Sequence, residues 1–219
     1  MVKIVTRLAL AAAIVLTTCL GAVSAAEKAA GAAKSPAKAE GWKPLFDGKT
    51  LDGWHPVGDG KWTVEDGAIV GRANNEKLYG LLFSDNEYQD FTVRFKFKVL
   101  TGDSGFYIRT VFKKPDQAHG NQVQVGLTGS GVGGVYESYG RGWVEKPSDE
   151  LQNKILKDGD WNEMVISANG GNIAVHVNGT QTADLKDDPA RGKGHFALQM
   201  HSGNVMHLMF KDIEMRSSK

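Results

Sequence analysis

A strict alternation of apolar and polar residues near the middle of the chain constrains its fold more than any other feature. Five apolar residues occupy every second position of one nine-residue segment: Phe91, Val93, Phe95, Phe97 and Val99. Polar or charged residues stand between them. Because successive side chains of a β-strand point to opposite faces, this period of two is typical of an antiparallel strand with one buried face.

Similar alternation recurs in several short segments, and turn-forming residues separate them. The segments cover residues 106–112, 173–177 and 196–200. Asn178-Gly179, directly after the second of them, is a strong signal for a β-hairpin. Only residues 148–156 suggest a helix, and it would be short. The pattern therefore predicts an all-β fold, a two-sheet antiparallel jelly-roll sandwich of the concanavalin A-like or glucanase-like type.

The first 26 residues have the pattern of a secretory signal peptide. Two basic residues precede an apolar run over 8–20, and small residues suit cleavage after Ala25 or Ala26. The run is shorter than a transmembrane helix needs, although a retained anchor helix is the alternative. The residues before Cys19 match a lipoprotein signal poorly, so we expect no lipid anchor there. These features predict an exported protein, periplasmic or extracellular, with no integral membrane span in its mature form.

The mature chain is predicted to consist of a linker and one folded domain. Residues 27–40 contain no large apolar side chain and are predicted to be a flexible linker. The folded domain is expected to span 41–219, because aromatic residues first appear at Trp42.

Charge and cysteine content exclude several classes of function. Loss of the leader lowers the basic count from 26 to 24 against 25 acidic residues, which leaves a net charge of −1. A nearly neutral chain gives no sign of binding nucleic acid. Cys19 is the only cysteine, so the mature protein has no disulfide, thiolate zinc site or cysteine nucleophile. The histidines lack convincing metal-ligand spacing and no phosphate or dinucleotide motif is present, so we expect neither metal nor cofactor.

Alternation also places polar residues together on the strand faces opposite the core. Three such sets are found: Tyr107 with Arg109; Gln122 with Gln124; and His195, Gln199 and His201. If these faces belong to one sheet, they form a cleft of amide, imidazole and guanidinium groups that suits the hydroxyls of a sugar. The alternative is a solvated outer sheet face.

A glycine-rich segment, 133–143, contributes further candidates. It includes Tyr136, Glu137, Arg141 and Trp143 among its glycines. Glycine lets the backbone approach a ligand closely, and aromatic faces stack on the apolar face of a pyranose. The alternative is a loop whose aromatic residues cover the core.

The chain resembles the DUF1080 or 3-keto-disaccharide hydrolase domain family. The ordered set of matching segments, rather than any one of them, carries the resemblance. They read WKPLFDGK at 42–49, LDGW at 51–54, WTVEDG at 62–67, YQDF at 88–91, DSG at 103–105 leading to Arg109, WNE at 161–163, VNG at 177–179, ALQMH at 197–201 and FKDI at 210–213.

The resemblance implies a concanavalin-like jelly roll and cleavage of glycosides whose C3 hydroxyl has been oxidised to a ketone. Such a ketone acidifies the proton on C2, so the reaction needs a general base, an acid near the leaving oxygen and a donor to the enolate. Three residues are predicted to be catalytic: Asp103, Glu137 and His201. Seven are predicted to bind substrate: Arg109, Gln122, Gln124, Tyr136, Arg141, Trp143 and Gln199.

One departure from the family pattern keeps other functions open. The family commonly has Tyr-Glu-Val-Gln where this chain has Asn-Gln-Val-Gln at 121–124, and the amide of Gln122 cannot take a proton as a carboxylate does. No carboxylate pair with the spacing of an ordinary retaining glycosidase is evident. The alternative for Asp103 is a turn cap, and the alternative for Arg109 is an ion pair within the sheet. A non-catalytic carbohydrate-binding module is therefore the alternative function, and a surface scaffold without sugar affinity is a third.

Overall fold

The computed structural model describes residues 41–218, which form two antiparallel β-sheets and one short helix. The predicted signal peptide, residues 1–26, and the predicted linker, residues 27–40, lie outside the described residues. Within the described part of the chain, no helix is long and apolar enough to cross a membrane.

Sheet A has eight strands, and β15 lies in its interior. Its strands are β1 (Lys43–Pro44), β3 (Lys61–Glu65), β4 (Ala68–Asn74), β6 (Phe91–Thr101), β11 (Asn162–Asn169), β12 (Asn172–Val177), β13 (Thr180–Leu185) and β15 (Val205–Ser217). Their order is β13-β12-β11-β6-β15-β4-β3, and β1 pairs with β15.

Sheet B has seven strands and carries the polar candidates. Its strands are β2 (Trp54–Gly58), β5 (Gly80–Tyr88), β7 (Ser104–Lys113), β8 (Gln117–Val125), β9 (Val135–Ser138), β10 (Gly142–Glu145) and β14 (Gly194–Met200). Their order is β10-β9-β8-β7-β14-β5-β2. These two sheets confirm the predicted jelly-roll sandwich.

Interdigitated aromatic side chains fill the space between the sheets. Phe95 of sheet A stacks on Phe106 of sheet B with ring centroids 4.4 Å apart. Phe91 meets Phe196 edge to face at 4.7 Å. All four rings are at most 1% exposed. They are the residues that alternation assigned to the core face, so this prediction is confirmed.

Sheet B buries apolar residues on its other face as well. Leu81, Phe83, Tyr107, Ala118 and Ala197 form a second buried cluster, while their strand neighbours enter the main core. Phe83 is 1% exposed and Tyr107 is 2% exposed. Part of the outer face of sheet B is thus shielded from solvent, and this part forms the base of a cleft.

The predicted turn and helix both form. Asn178 and Gly179 have φ values of 48° and 81° and connect β12 to β13, as a two-residue hairpin turn requires. The helix α1 (Asp149–Ile155) begins after Ser148, whose hydroxyl accepts a hydrogen bond from the backbone N–H of Leu151.

Candidate functional site

A cleft of about 680 Å³ lies on the outer face of sheet B, a volume within the range of small-molecule sites. Its floor is formed by side chains of β7, β8 and β14, and the glycine-rich segment forms one wall. Eight of the ten predicted site residues line it: Asp103, Gln122, Gln124, Tyr136, Arg141, Trp143, Gln199 and His201. The structure thus brings together most of the residues that the sequence predicted for the site.

Three buried glutamines on the floor are joined in series by hydrogen bonds. Gln199 Nε2 donates to Gln122 Oε1 at 3.3 Å, and Gln122 Nε2 donates to Gln124 Oε1 at 2.7 Å. Gln124 Nε2 then donates to Asp103 Oδ2 at 3.1 Å. We call this series the amide relay. Each glutamine is at most 6% exposed, so the relay holds its side chains in fixed positions.

The other end of the floor is a tyrosine–serine pair. Tyr107 Oη accepts a hydrogen bond from Gln199 Nε2 at 2.9 Å and lies 2.9 Å from Ser138 Oγ. Burial raises the pKa of the Tyr107 phenol far above its usual value, so the phenol stays protonated. Either hydroxyl of the Tyr107–Ser138 pair can be the donor.

An imidazole–phenol pair stands at the side of the cleft. His201 Nε2 lies 3.2 Å from Tyr79 Oη, and His201 Nδ1 lies 2.8 Å from the backbone oxygen of Ser202. A carbonyl oxygen only accepts, so Nδ1 of the neutral ring carries the hydrogen. Nε2 therefore has a lone pair, and the Tyr79 hydroxyl donates to it.

Burial raises the pKa of Tyr79, and the nearby charges of Asp103 and Asp116 act in the same direction. Both carboxylates line the cleft. Asp116 is 9% exposed and accepts a hydrogen bond from the backbone N–H of Tyr79 at 2.8 Å. The phenol is thus kept protonated beside the His201 imidazole.

The wall from the glycine-rich segment is aromatic and more exposed than the floor. Tyr136 meets Trp143 edge to face at 5.4 Å, and Trp143 is 41% exposed. Tyr139 is 54% exposed and stacks on His119 at 4.3 Å. Arg141 is held by ion pairs to Glu137 and, at 2.8 Å, to Asp188.

Glu137 does not line the cleft, although it was predicted to be catalytic. Tyr136 and Ser138, its neighbours in β9, do line it, so the pleat of the strand directs Glu137 to the other face. There its carboxylate accepts from the Arg141 guanidinium. The structure places it as an anchor for Arg141 rather than beside a ligand.

Arg109 also lies outside the set of residues that line the cleft. A β-bulge between Ile108 and Val111 interrupts the alternation, and Arg109 has a φ of 50°. Its guanidinium donates to the backbone oxygens of Gln89 at 2.7 Å and Gly170 at 2.6 Å. The prediction that it shares a face with Tyr107 is wrong for this reason.

His195 is on the same face of β14 as Gln199 but does not reach the cleft. It lies beyond Ala197, next to Phe83 at 6.1 Å, and its Nδ1 is 2.8 Å from the backbone oxygen of Ser84. The distance along the strand separates it from His201.

Sequence reasoning missed Tyr79, Asp116 and Tyr139, all of which line the cleft. Tyr79 immediately precedes β5 and Asp116 immediately precedes β8. Side chains outside the strands have no alternation to reveal their direction. Their signal would have been only their position next to strands that already carried candidates.

No group of three or more histidine, cysteine, aspartate or glutamate side chains in residues 41–218 is arranged to hold a metal ion.

A jelly-roll sandwich with a polar, aromatic-walled cleft is typical of carbohydrate-related proteins. Residues 41–216 match the family of the 3-keto-alpha-glucoside-1,2-lyase-like domain. The chain belongs to this family, which confirms the resemblance found in its sequence.

Solved structures share the fold at low sequence identity. A "putative glycosyl hydrolase" from Parabacteroides distasonis is 20% identical with a TM-score of 0.62, covering 83% of this chain and 95% of that one. The carbohydrate-binding module CBM66 from Bacillus subtilis is 15% identical with a TM-score of 0.56, covering 75% and 96%. A protein with a galectin-like fold from Bacillus subtilis is 12% identical with a TM-score of 0.59, covering 76% and 90%. No curated protein matches the chain.

Proposed function

We propose that this protein cleaves glycosides that carry a ketone at C3, by removing the proton from C2. Its family membership supports this substrate class, and the cleft has the size and polarity that a sugar needs. The pairing of a lone-pair imidazole nitrogen with a protonated phenol, His201 with Tyr79, is the observation that carries the proposal. This pair supplies both a proton acceptor and a proton donor at one place in the cleft.

The reaction balances as an elimination followed by an addition. A base takes the C2 proton, and the electrons of the C2–H bond move to the C3 oxygen as an enolate. When the ketone re-forms, a C1=C2 double bond is made, the C1–O bond breaks and an acid protonates the leaving oxygen. Release at this stage is a lyase reaction. Addition of water to C1, with return of a proton to C2, completes a hydrolysis.

His201 Nε2 is proposed as the base, because this nitrogen carries a lone pair and His201 lines the cleft. Tyr79 is proposed as the acid, since burial and the nearby carboxylates keep its phenol protonated. The amide N–H groups of Gln122 and Gln124 that the relay leaves unused are proposed as donors to the enolate oxygen. Tyr136, Arg141 and Trp143 are proposed to contact the sugar or its leaving group along the wall.

The first test is product analysis on a panel of 3-keto-glucosides and their unoxidised parents. Release of the aglycone from the keto-sugars alone is expected. His201→Gln is expected to lower the rate about 10²- to 10⁴-fold, as loss of a general base does. His176→Gln is the matched control, because His176 lies on β12 of the other sheet and should leave the rate unchanged. Equal turnover by His201→Gln and the unmodified protein would refute the assignment.

The alternative is a carbohydrate-binding module with the same fold. One observation favours it: Gln122 stands where the family commonly has a glutamate, and its amide is committed to neighbouring glutamines. This alternative predicts calorimetric binding of a glycan without product release from any keto-sugar. Loss of cleavage with retained binding in the Tyr79→Phe variant would argue against it, because a module without chemistry has no rate to lose.

A further inference from the structure

The amide relay has a direction, and Asp103 sets it. An ionised carboxylate only accepts hydrogen bonds, so the Gln124 group facing Asp103 Oδ2 is the NH₂ end of that amide. The Gln124 oxygen is then left for Gln122, which must present its own NH₂. The same logic turns the oxygen of Gln122 toward Gln199. Three amides in series are therefore oriented from one charge.

Gln199, the last residue of the amide relay, has an unused hydrogen-bond acceptor but no unused donor. Both hydrogens of Gln199 Nε2 are used, one by Gln122 Oε1 and the other by Tyr107 Oη. Gln199 Oε1 is buried and has no hydrogen-bond partner among residues 41–218. The residue is 4% exposed and lines the cleft. A buried acceptor without a partner costs free energy until a donor reaches it.

The Asp-Ser-Gly segment at 103–105 supports the relay at three successive positions. Asp103 accepts from Gln124. The Ser104 hydroxyl donates to the backbone oxygen of Gln199 at 2.6 Å. Gly105 leaves room for Gln122, whose side chain would overlap a Cβ at that position. The segment thus positions both ends of the relay and its middle.

We propose that Asp103 is a positioning residue: through the relay it makes Gln199 Oε1 an obligate acceptor that selects a sugar with a hydroxyl group at that point of the floor. This inference rests on the proposed function only in that the cleft takes a sugar. A hydroxyl can donate to Gln199 Oε1, whereas a deoxy analogue leaves the oxygen without a partner. The side-chain amide of an asparagine at position 103 could donate a hydrogen bond to Gln124. The direction of every hydrogen bond in the relay could then reverse, so that Gln199 would present an N–H to the sugar instead of its oxygen.

Calorimetric titration with a methyl 3-keto-glucoside and its 2-, 4- and 6-deoxy analogues tests the proposal. The His201→Gln background prevents turnover during the titration. One deoxy analogue is expected to bind about ten- to a hundredfold more weakly than the parent sugar, as loss of the only partner of a buried acceptor predicts. Adding Asp103→Asn should reduce this penalty to about threefold or less, and Gln199→Met should abolish it.

Asp85→Asn is the matched control, since Asp85 is an exposed carboxylate of the same sheet, paired with His55 at 2.7 Å. It should leave the penalty unchanged. Equal affinities for the parent and all analogues, or an unchanged penalty in Asp103→Asn, would overturn the proposal. Thermal melting identifies any variant that fails to fold, in which case Gln124→Met, which removes the link between Asp103 and Gln122, must lower the same penalty. Selective binding without cleavage by the unmodified protein would refute the proposed reaction and leave this inference intact.

Discussion

Replacing Arg109 with methionine should destabilise the domain strongly without altering the cleft. The guanidinium is buried and donates to two backbone oxygens, those of Gln89 and Gly170. It also pairs with Asp90 Oδ1 at 3.1 Å. Methionine keeps most of the apolar stem and removes all of these donors.

The size of the expected stability loss follows from the groups that lose their hydrogen-bond donor. Hydrogen bonds to a charged group are worth about 1.5–3 kcal/mol each, and two are lost to the backbone oxygens. Water reaches the freed groups in part, because Gln89 and Gly170 are at the surface and the Asp90 side chain is 32% exposed. The expected loss is therefore about 2–4 kcal/mol. For a domain of this size that lowers the melting temperature by roughly 5–15 °C.

Urea unfolding followed by tryptophan fluorescence measures the loss, and sugar binding is measured at a temperature where the variant is folded. Arg72→Met is the control, since Arg72 makes an exposed ion pair with Glu65 at 2.5 Å, and exposed ion pairs contribute little to stability. An Arg109→Met variant with unchanged stability and weakened sugar binding would show that Arg109 contacts the ligand and would refute this reasoning.

Three further outcomes are expected. Gly105→Ala should cost about 1–3 kcal/mol and weaken sugar binding, because its Cβ would overlap Gln122, whereas Gly192→Ala, with open space around it, should be neutral by both measures. Phe95→Ala should cost about 3–5 kcal/mol in urea unfolding; a loss under 1 kcal/mol would contradict its place in the core. Burial lowers the pKa of His207, so its contribution to stability is complete above the unfolded pKa of 6.5 and is lost as the pH falls through the lower folded value. The melting temperature should thus fall on acidification, and less so in His207→Gln; identical pH profiles would exclude this origin.

The fold could be predicted from the sequence because the alternation of apolar and polar residues follows directly from the pleat of a β-strand. Each alternating segment became a strand, and residues such as Phe95 and Phe196 entered the core as their positions required. Strand order could not be predicted in this way, because pairing joins residues far apart, such as those of β6 and β15.

The site could be predicted only where the strands are regular. Gln122 and Gln124 reached the cleft because β8 keeps its period there. Arg109 did not, because a bulge in β7 redirects it and nothing in the local sequence marks the bulge. Glu137 belongs to a four-residue strand within a glycine-rich segment, where the register is set by pairing with β8 rather than by local alternation.

The last two strands of the chain each lie in the interior of a sheet. β14 lies between β7 and β5, and β15 lies between β6 and β4. Before these strands are synthesised, each sheet lacks one interior strand. Each sheet then consists of two parts that are not hydrogen-bonded to each other. Both sheets can therefore be completed only after β14 and β15 have been synthesised.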